Sequence, residues 1–209
     1  MEANGGLHKQ RLHAVRDLLK QSGGARVLDL GCGDGKLMRM LLKESQFTEI
    51  VGMDVSQRNL DWAAERLRLT QMQAHDLRRI KLIRGSLAYR DLRLSGYDAA
   101  AMVEVIEHLD PESLSAFEGS IFEFAQPQTI IITTPNREYN VRWMSLPAGE
   151  FRHHDHRFEW TRTEFQFWSR RVADRYGYNV HFAPAGPEDP VIGAPSQIGI
   201  FSRESGTDT

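Results

Sequence analysis

Nine residues, Val27-Leu28-Asp29-Leu30-Gly31-Cys32-Gly33-Asp34-Gly35, constrain the fold of this chain more than any other stretch. A short, mostly apolar run ends in three glycines at alternate positions, and within residues 36–43 the side chains of Leu37, Met40 and Leu41 resume helical spacing. The segment is a strand, a tight turn and a helix, and glycine lets a ligand lie against the backbone of such a turn. Residues 49–54 form a second buried strand. Ser56 is suited to cap a helix through Leu67 that carries Leu60, Ala63, Ala64 and Leu67 on one face. The result is a βαβ unit, whose parallel strands need cover on both faces.

The alternation continues. Residues 80–84, 97–103 and 128–134 read as strands, the last closed by Pro135. Asp110 and Pro111 are an N-cap followed by proline at the first helical position, with Leu114, Phe117, Ile121 and Phe124 as the buried stripe. A later helix starts near Thr161 with Phe165, Trp168 and Val172 in register, and strands near 178–182 and 197–202 close the chain as an antiparallel hairpin. Leu12, Val15, Leu18 and Leu19 mark an opening helix that Gly23-Gly24 break. The expected fold is α/β: a mainly parallel sheet with helices on both faces. One domain over 1–209 accounts for the length, with loose ends at 1–7 and 204–209. Residues 136–157 carry no clean period, and 136–160 is expected to be a functional insertion.

Composition removes several function classes. No run of about 18 apolar residues exists and the first residues lack a secretory pattern, so a membrane span and export are not expected and the cytosol is the expected location. A single cysteine, Cys32, excludes an internal disulfide framework and a multi-cysteine zinc site. A formal net charge of −2 announces no broad nucleic-acid groove.

Three constellations carry chemistry. Asp54, at the end of the second strand and 19 residues after Gly35, can accept the ribose hydroxyls of an adenosine ligand. Gly85-Ser86-Leu87, after the third strand, is either an ordinary turn or a loop that presents a hydroxyl and backbone groups to an adenine edge. In Glu104-Val105-Ile106-Glu107-His108, a helical backbone would put both carboxylates and the imidazole on one face. Two like charges that close repel, and a divalent metal removes the conflict. His153-His154-Asp155-His156, far along the chain, can supply a further nitrogen ligand. Carboxylates with imidazoles suit Mn, Fe or Co better than Mg. Taken separately, each acidic or histidine-rich stretch is also a normal solvated surface.

The glycine motif with Asp29 resembles the first motif of S-adenosylmethionine-dependent methyltransferases. Val103-Glu104-Val105-Ile106-Glu107-His108-Leu109, Thr134-Pro135-Asn136 and Phe151-Arg152-His153-His154-Asp155-His156-Arg157-Phe158-Glu159-Trp160-Thr161-Arg162 resemble the signature blocks of the small-RNA 3′-terminal 2′-O-methyltransferase family. Matches run over nearly the whole chain, residues 10–201. The resemblance implies a Rossmann-like methyltransferase fold, with Asp29, Gly31, Gly33, Asp54, Ser86 and Leu87 around S-adenosylmethionine. It also implies that Glu104, Glu107, His108 and a histidine of the later block bind Mn²⁺ or Mg²⁺ and thereby hold both hydroxyls of the terminal ribose. His156, within Asp155-His156-Arg157-Phe158-Glu159-Trp160, is the expected fourth ligand, with His154 as the alternative. Leu146-Pro147-Ala148-Gly149-Glu150 and Gly186-Pro187-Glu188-Asp189-Pro190 are most similar to the bacterial branch. Its members work with a kinase-phosphatase-ligase partner in RNA repair and carry an additional N-terminal half. The chain is therefore expected to correspond to the C-terminal methyltransferase domain.

Arg142, Arg152, Arg157 and Arg162 are candidate RNA phosphate contacts, and Phe158 and Trp160 are either a stacking surface for the terminal base or core packing. All but five of the 26 basic residues are Arg, and Lys81 is the last lysine. A Lys-Asp-Lys-Glu tetrad, used by other ribose methyltransferases, therefore has no lysine near the later strands. Two alternatives remain: a metal-dependent methyltransferase of a small catechol-like diol, and a non-catalytic cofactor-binding partner of an RNA ligase.

Overall fold

The computed structural model describes residues 2–203. The strands are β1 (Arg26–Leu30), β2 (Glu49–Asp54), β3 (Ile80–Arg84), β4 (Ala99–Val103), β5 (Thr129–Pro135), β6 (Asn179–Ala185) and β7 (Ser196–Ser202). They form one sheet in the order β3-β2-β1-β4-β5-β7-β6. All neighbours are parallel except β5–β7 and β6–β7, which makes the C-terminal pair the expected antiparallel hairpin.

The pleat of β1 sorts side chains between two cores. Leu28 and Leu30 face a layer with Phe117, Phe165, Trp168 and Val172, whereas Val27 faces one with Val15, Leu41 and Leu60. Helices α1 (Glu2–Gln21), α2 (Lys36–Leu41) and α3 (Gln57–Leu67) cover the second face, with the short α4 (Ala74–Arg79) against β2 and β3. The first is covered by α5 (Leu114–Glu118), the turns after it and α6 (Arg162–Tyr176). Thr161 and Glu164 close α6 with a reciprocal capping box, and Gly177 ends it in the left-handed conformation. Because β1 connects towards β2 while β4 lies on its other side, the loops after β1 and β4 frame a crevice at the strands' carboxyl ends, where such sheets take ligands.

Several boundaries differ from the sequence reading. Helix α1 runs from Glu2, inside the segment 1–7 expected to be loose; the expectation for 204–209 lies outside the described residues. Helix α2 stops at Leu41. β4 starts at Ala99, because the Asp98 carboxylate turns aside to accept the N–H groups of Ala25 and Arg26 at 2.8 and 2.7 Å. The stripe expected through Phe124 is re-phased: residues Gly119–Ala125 form a wider π-helical turn, and the Gln126 N–H donates to the Ile121 carbonyl, five residues back. Phe122 becomes fully buried and Phe124 stays half-buried, with the Arg90 guanidinium 5.9 Å from its ring. Within 136–160 the chain makes one 3-10 helix, Arg137–Arg142. Among the described residues no helix is long and apolar enough to cross a membrane.

Candidate active site

The loop after β1 turns so tightly that it touches the loop after β4. Gly31 has φ +76°, and a Cβ there would lie 2.6 Å from a Val105 methyl, so glycine is required both by conformation and by space. A Cβ on Gly33 would meet nothing within 4 Å, since that residue borders an open cavity of about 480 Å³. Asp54, Ser86, Leu87, Glu104 and His108 line the same cavity.

Asp54 closes the glycine turn. Its Oδ2 accepts the Gly33 N–H at 2.9 Å, and Oδ1 accepts the Ser56 N–H at 2.9 Å and Asn59 Nδ2 at 3.1 Å. Three of about four acceptor positions are filled, so the carboxylate can take one further hydroxyl donor without releasing the turn. Asn59, which also lines the cavity, was not singled out by the sequence. Asp29 points to the α1–α3 side, is 2% exposed, and has one buried oxygen, Oδ2, with no partner. Burial, followed by the nearby Asp54 carboxylate, pushes its carboxyl up to about 7.

The expected helical Glu104–His108 face is not formed. β4 ends at Val103, Glu104 takes φ +56°, and Ile106–His108 makes a single 3-10 turn. Thr133 holds this bend: Glu104 N–H donates to its carbonyl and its Oγ1, both at 3.1 Å, and the hydroxyl donates to Glu104 Oε1 at 3.0 Å. Glu104 Oε2 receives Arg11 Nη1 of α1 at 2.5 Å. Its carboxylate is therefore drawn towards α1.

Glu107, His108 and His156 do converge: their ligand atoms lie within 4.8 Å of one another. Glu107 is fully buried, its Oε2 accepts the Thr134 hydroxyl at 3.0 Å, and its Oε1 has no partner. Burial, then the Glu104 carboxylate, raises the Glu107 carboxyl well above its ordinary range. The His108 ring stands edge-on to His156 at 4.9 Å between centres; burial and then the neighbouring His156 ring lower its pKa. The insertion is pinned here by the Arg157 N–H, which donates to the Glu107 carbonyl at 2.7 Å.

Glu159, missed by the sequence reading, orients the third ligand. Burial pushes its carboxyl up, but the His156 ring, Asn140 and the Arg152 N–H outweigh that and hold it below its ordinary range. His156 Nδ1–H accordingly donates to Glu159 Oε1 at 2.6 Å, which leaves Nε2 as the ring's lone-pair nitrogen. Two imidazoles and a buried carboxylate with one orphaned oxygen are a donor set that fits a divalent cation. His153, His154 and Asp155 form a separate exposed group, with His154 82% exposed.

The four arginines part company. The Arg152 guanidinium is turned inward, donating to Asn140 Oδ1, the Pro195 carbonyl and the Asn136 carbonyl at 2.5–2.7 Å; it knits the insertion to the body and is not placed for RNA phosphate. Arg162 is engaged by Glu138 and the Val191 carbonyl. Arg142 is exposed and paired with Asp189, and Arg157 is exposed with Asp110 at 3.2 Å. Trp160 packs on Trp168 at the core edge, and Phe158 stacks on its outer side at 4.3 Å.

The family description "Methyltransferase domain" matches residues 7–181. The small RNA 2′-O-methyltransferase of Mus musculus is 38% identical over 210 residues, covering 96% of this chain and 52% of that protein. The chain thus spans about half the length of the curated relatives it matches. The crystal structure of the methyltransferase domain of bacterial-CtHen1-CN is 47% identical, with a TM-score of 0.87 and coverage of 94% of this chain and 99% of that one. The small RNA methyltransferase HEN1 superposes with a TM-score of 0.86 at 32% identity, over 94% of this chain and 25% of that one. With sheet order, glycine turn and these likenesses in agreement, the chain belongs to the methyltransferase-domain family, has the S-adenosylmethionine-dependent methyltransferase fold, and falls within it on the branch of the small RNA 2′-O-methyltransferases and the bacterial Hen1 domain.

Proposed function

We propose that this chain transfers a methyl group from S-adenosylmethionine to the 2′-hydroxyl of the 3′-terminal nucleotide of RNA, with Mn²⁺ or Mg²⁺ held by Glu107, His108 and His156 and joined by Glu104. The carrying observation is that Glu104 and His108 border the same cavity as Gly31, Gly33 and Asp54, so a cation site and a cofactor cradle share one space. A ribose hydroxyl is a poor nucleophile at neutral pH, and a bound divalent cation would lower its pKa. The chain's own groups do the rest. Glu159 fixes the His156 tautomer, and Thr134 orients Glu107. His153, whose ring centre lies 6.1 Å from that of His108, and its neighbour His154 are the imidazoles outside the cation site that can take the hydroxyl proton. Arg157 and Arg142 are the exposed cations suited to the RNA backbone, and residues 136–160 act as the metal- and RNA-binding insertion. In the cell we place this activity in the cytoplasm, in RNA repair beside a kinase-phosphatase-ligase or in small-RNA end protection.

Labelled methyl transfer to RNA ending in 3′-OH, 3′-phosphate or 3′-deoxy, with catechol alongside, tests this reading. Only the 3′-OH RNA is expected to turn over well. Equal turnover of 3′-deoxy RNA would remove the two-hydroxyl grip, methylation of catechol alone would favour the small-diol enzyme, and no transfer to any acceptor would favour a non-catalytic module.

Asp54→Ala is expected to weaken S-adenosylmethionine binding by roughly 10- to 150-fold, the loss of a charged acceptor worth about 1.5–3 kcal/mol. Titration calorimetry with unchanged cofactor affinity would exclude Asp54 from the cradle.

A further inference from the structure

The Arg11–Glu104 contact joins residues 93 apart in sequence and lies between α1 and the proposed cation site. It is an enclosed ion pair: the Arg11 and Glu104 side chains are 11% and 16% exposed. Arg11 Nη1 has one other side-chain partner, Ser196 Oγ at 3.0 Å, and its buried Nε–H has none among the described residues. Glu104 is equally constrained, with Oε1 taken by Thr133 and Oε2 by Arg11. In this arrangement it is not among the residues whose ligand atoms gather with Glu107, His108 and His156.

Charge accounting gives the contact a meaning. Three carboxylates, Glu104, Glu107 and Glu159, crowd this region with two arginines, Arg11 and Arg152. Arg11 neutralises Glu104, while Arg152 and the His156 ring favour charged Glu159. Glu107 alone lacks a cation in contact, and its Oε1 is the orphan. A dication added beside Glu107 would be repelled by Arg11 unless Glu104 moved towards it.

Resting on the metal reading above, we infer that Arg11 is a built-in counter-ion that competes with the cation for Glu104, so that filling the site breaks the Arg11–Glu104 pair and loosens α1. Arg11 is thus a positioning residue, acting through Glu104. Linkage makes the effect reciprocal: whatever weakens the Arg11 contact strengthens cation binding, and cation binding weakens the hold on α1.

Mn²⁺ titration calorimetry on the protein without cofactor or RNA tests this, with Arg11→Gln and Arg11→Lys beside Glu107→Gln and His156→Ala. Arg11→Gln is expected to bind Mn²⁺ roughly tenfold tighter than the native chain and to show a larger Mn²⁺-induced rise in Tm. Arg11→Lys, which restores the charge, is expected to return affinity towards the native value. Unchanged or weaker binding by Arg11→Gln, while Glu107→Gln and His156→Ala lose binding, overturns the counter-ion role and leaves the metal reading standing. Absence of native binding, or binding that survives in both ligand variants, overturns the metal reading itself. Hydrogen exchange on the native chain needs no variant: saturating Mn²⁺ should speed exchange of the α1 amides around Arg11, and unchanged protection there would also overturn the proposal.

Discussion

Glu107→Gln is expected to lower RNA methylation by roughly 10³-fold, about 4 kcal/mol of barrier, while leaving the protein without ligands at least as stable as the native chain. The two halves have one cause. Glu107 is a fully enclosed carboxyl with one oxygen bonded to Thr134 and the other bonded to nothing, beside a second carboxylate. A buried charge without a cation lowers stability, and glutamine keeps the shape and the Thr134 contact without it. In the proposed chemistry, however, the same uncompensated oxygen is what a cation needs. Methyl transfer to a 3′-OH RNA and calorimetric melting would be measured on the same preparations. Activity within tenfold of native would remove Glu107 from the cation site, and a large drop in Tm would show that its role is structural.

The second large effect concerns the buried acid of the glycine turn. Asp29 has its folded pKa raised to about 7, by burial first and by Asp54 second, against 3.8 in a solvated chain. As pH rises from about 4, the unfolded chain releases this proton before the folded one does. The native state therefore loses relative stability between about pH 4 and 7, and no more from this group above that window. Asp29→Asn should abolish this loss. Relative to native, its stability should rise across the window and reach a gain on the order of 4 kcal/mol by pH 8, roughly 10 °C in Tm. Melting of both proteins without cofactor at pH 5 and pH 8 checks this, and a difference that does not widen with pH sinks it. Asp29, expected around the cofactor, is instead buried behind the glycine turn with Oδ2 unpartnered and is not among the residues that line the cavity.

Much of the architecture is legible in short stretches of chain. β1, β2, β3 and α3 have the boundaries read from apolar spacing, glycines and the Ser56 cap, because each obeys a rule acting over a few residues. The glycine cradle and Asp54 are legible for the same reason: a strand, a turn and the next strand's end are neighbours by construction in a βαβ unit. Phe122 was not. Whether a helix widens to a π turn after Glu118 depends on what fits against Phe201 and Tyr178, which come from distant parts of the chain.

The candidate cation site divides along the same line. That Glu104, Glu107, His108 and the 153–156 cluster are suited to holding a cation follows from side-chain chemistry and motif spacing, before any coordinates. Tertiary structure decided which of them meet: His156 turns inward because Glu159, itself held by Asn140 and the Arg152 N–H, receives it, while His154 stays in solvent. It also drew Glu104 to Arg11 and turned Arg152 from a surface candidate into an internal clamp. Sequence determines which groups can bond and how neighbours along the chain are spaced. Partners 93 residues apart are selected only when burial removes water as the competitor and leaves each buried donor and acceptor to find another within reach.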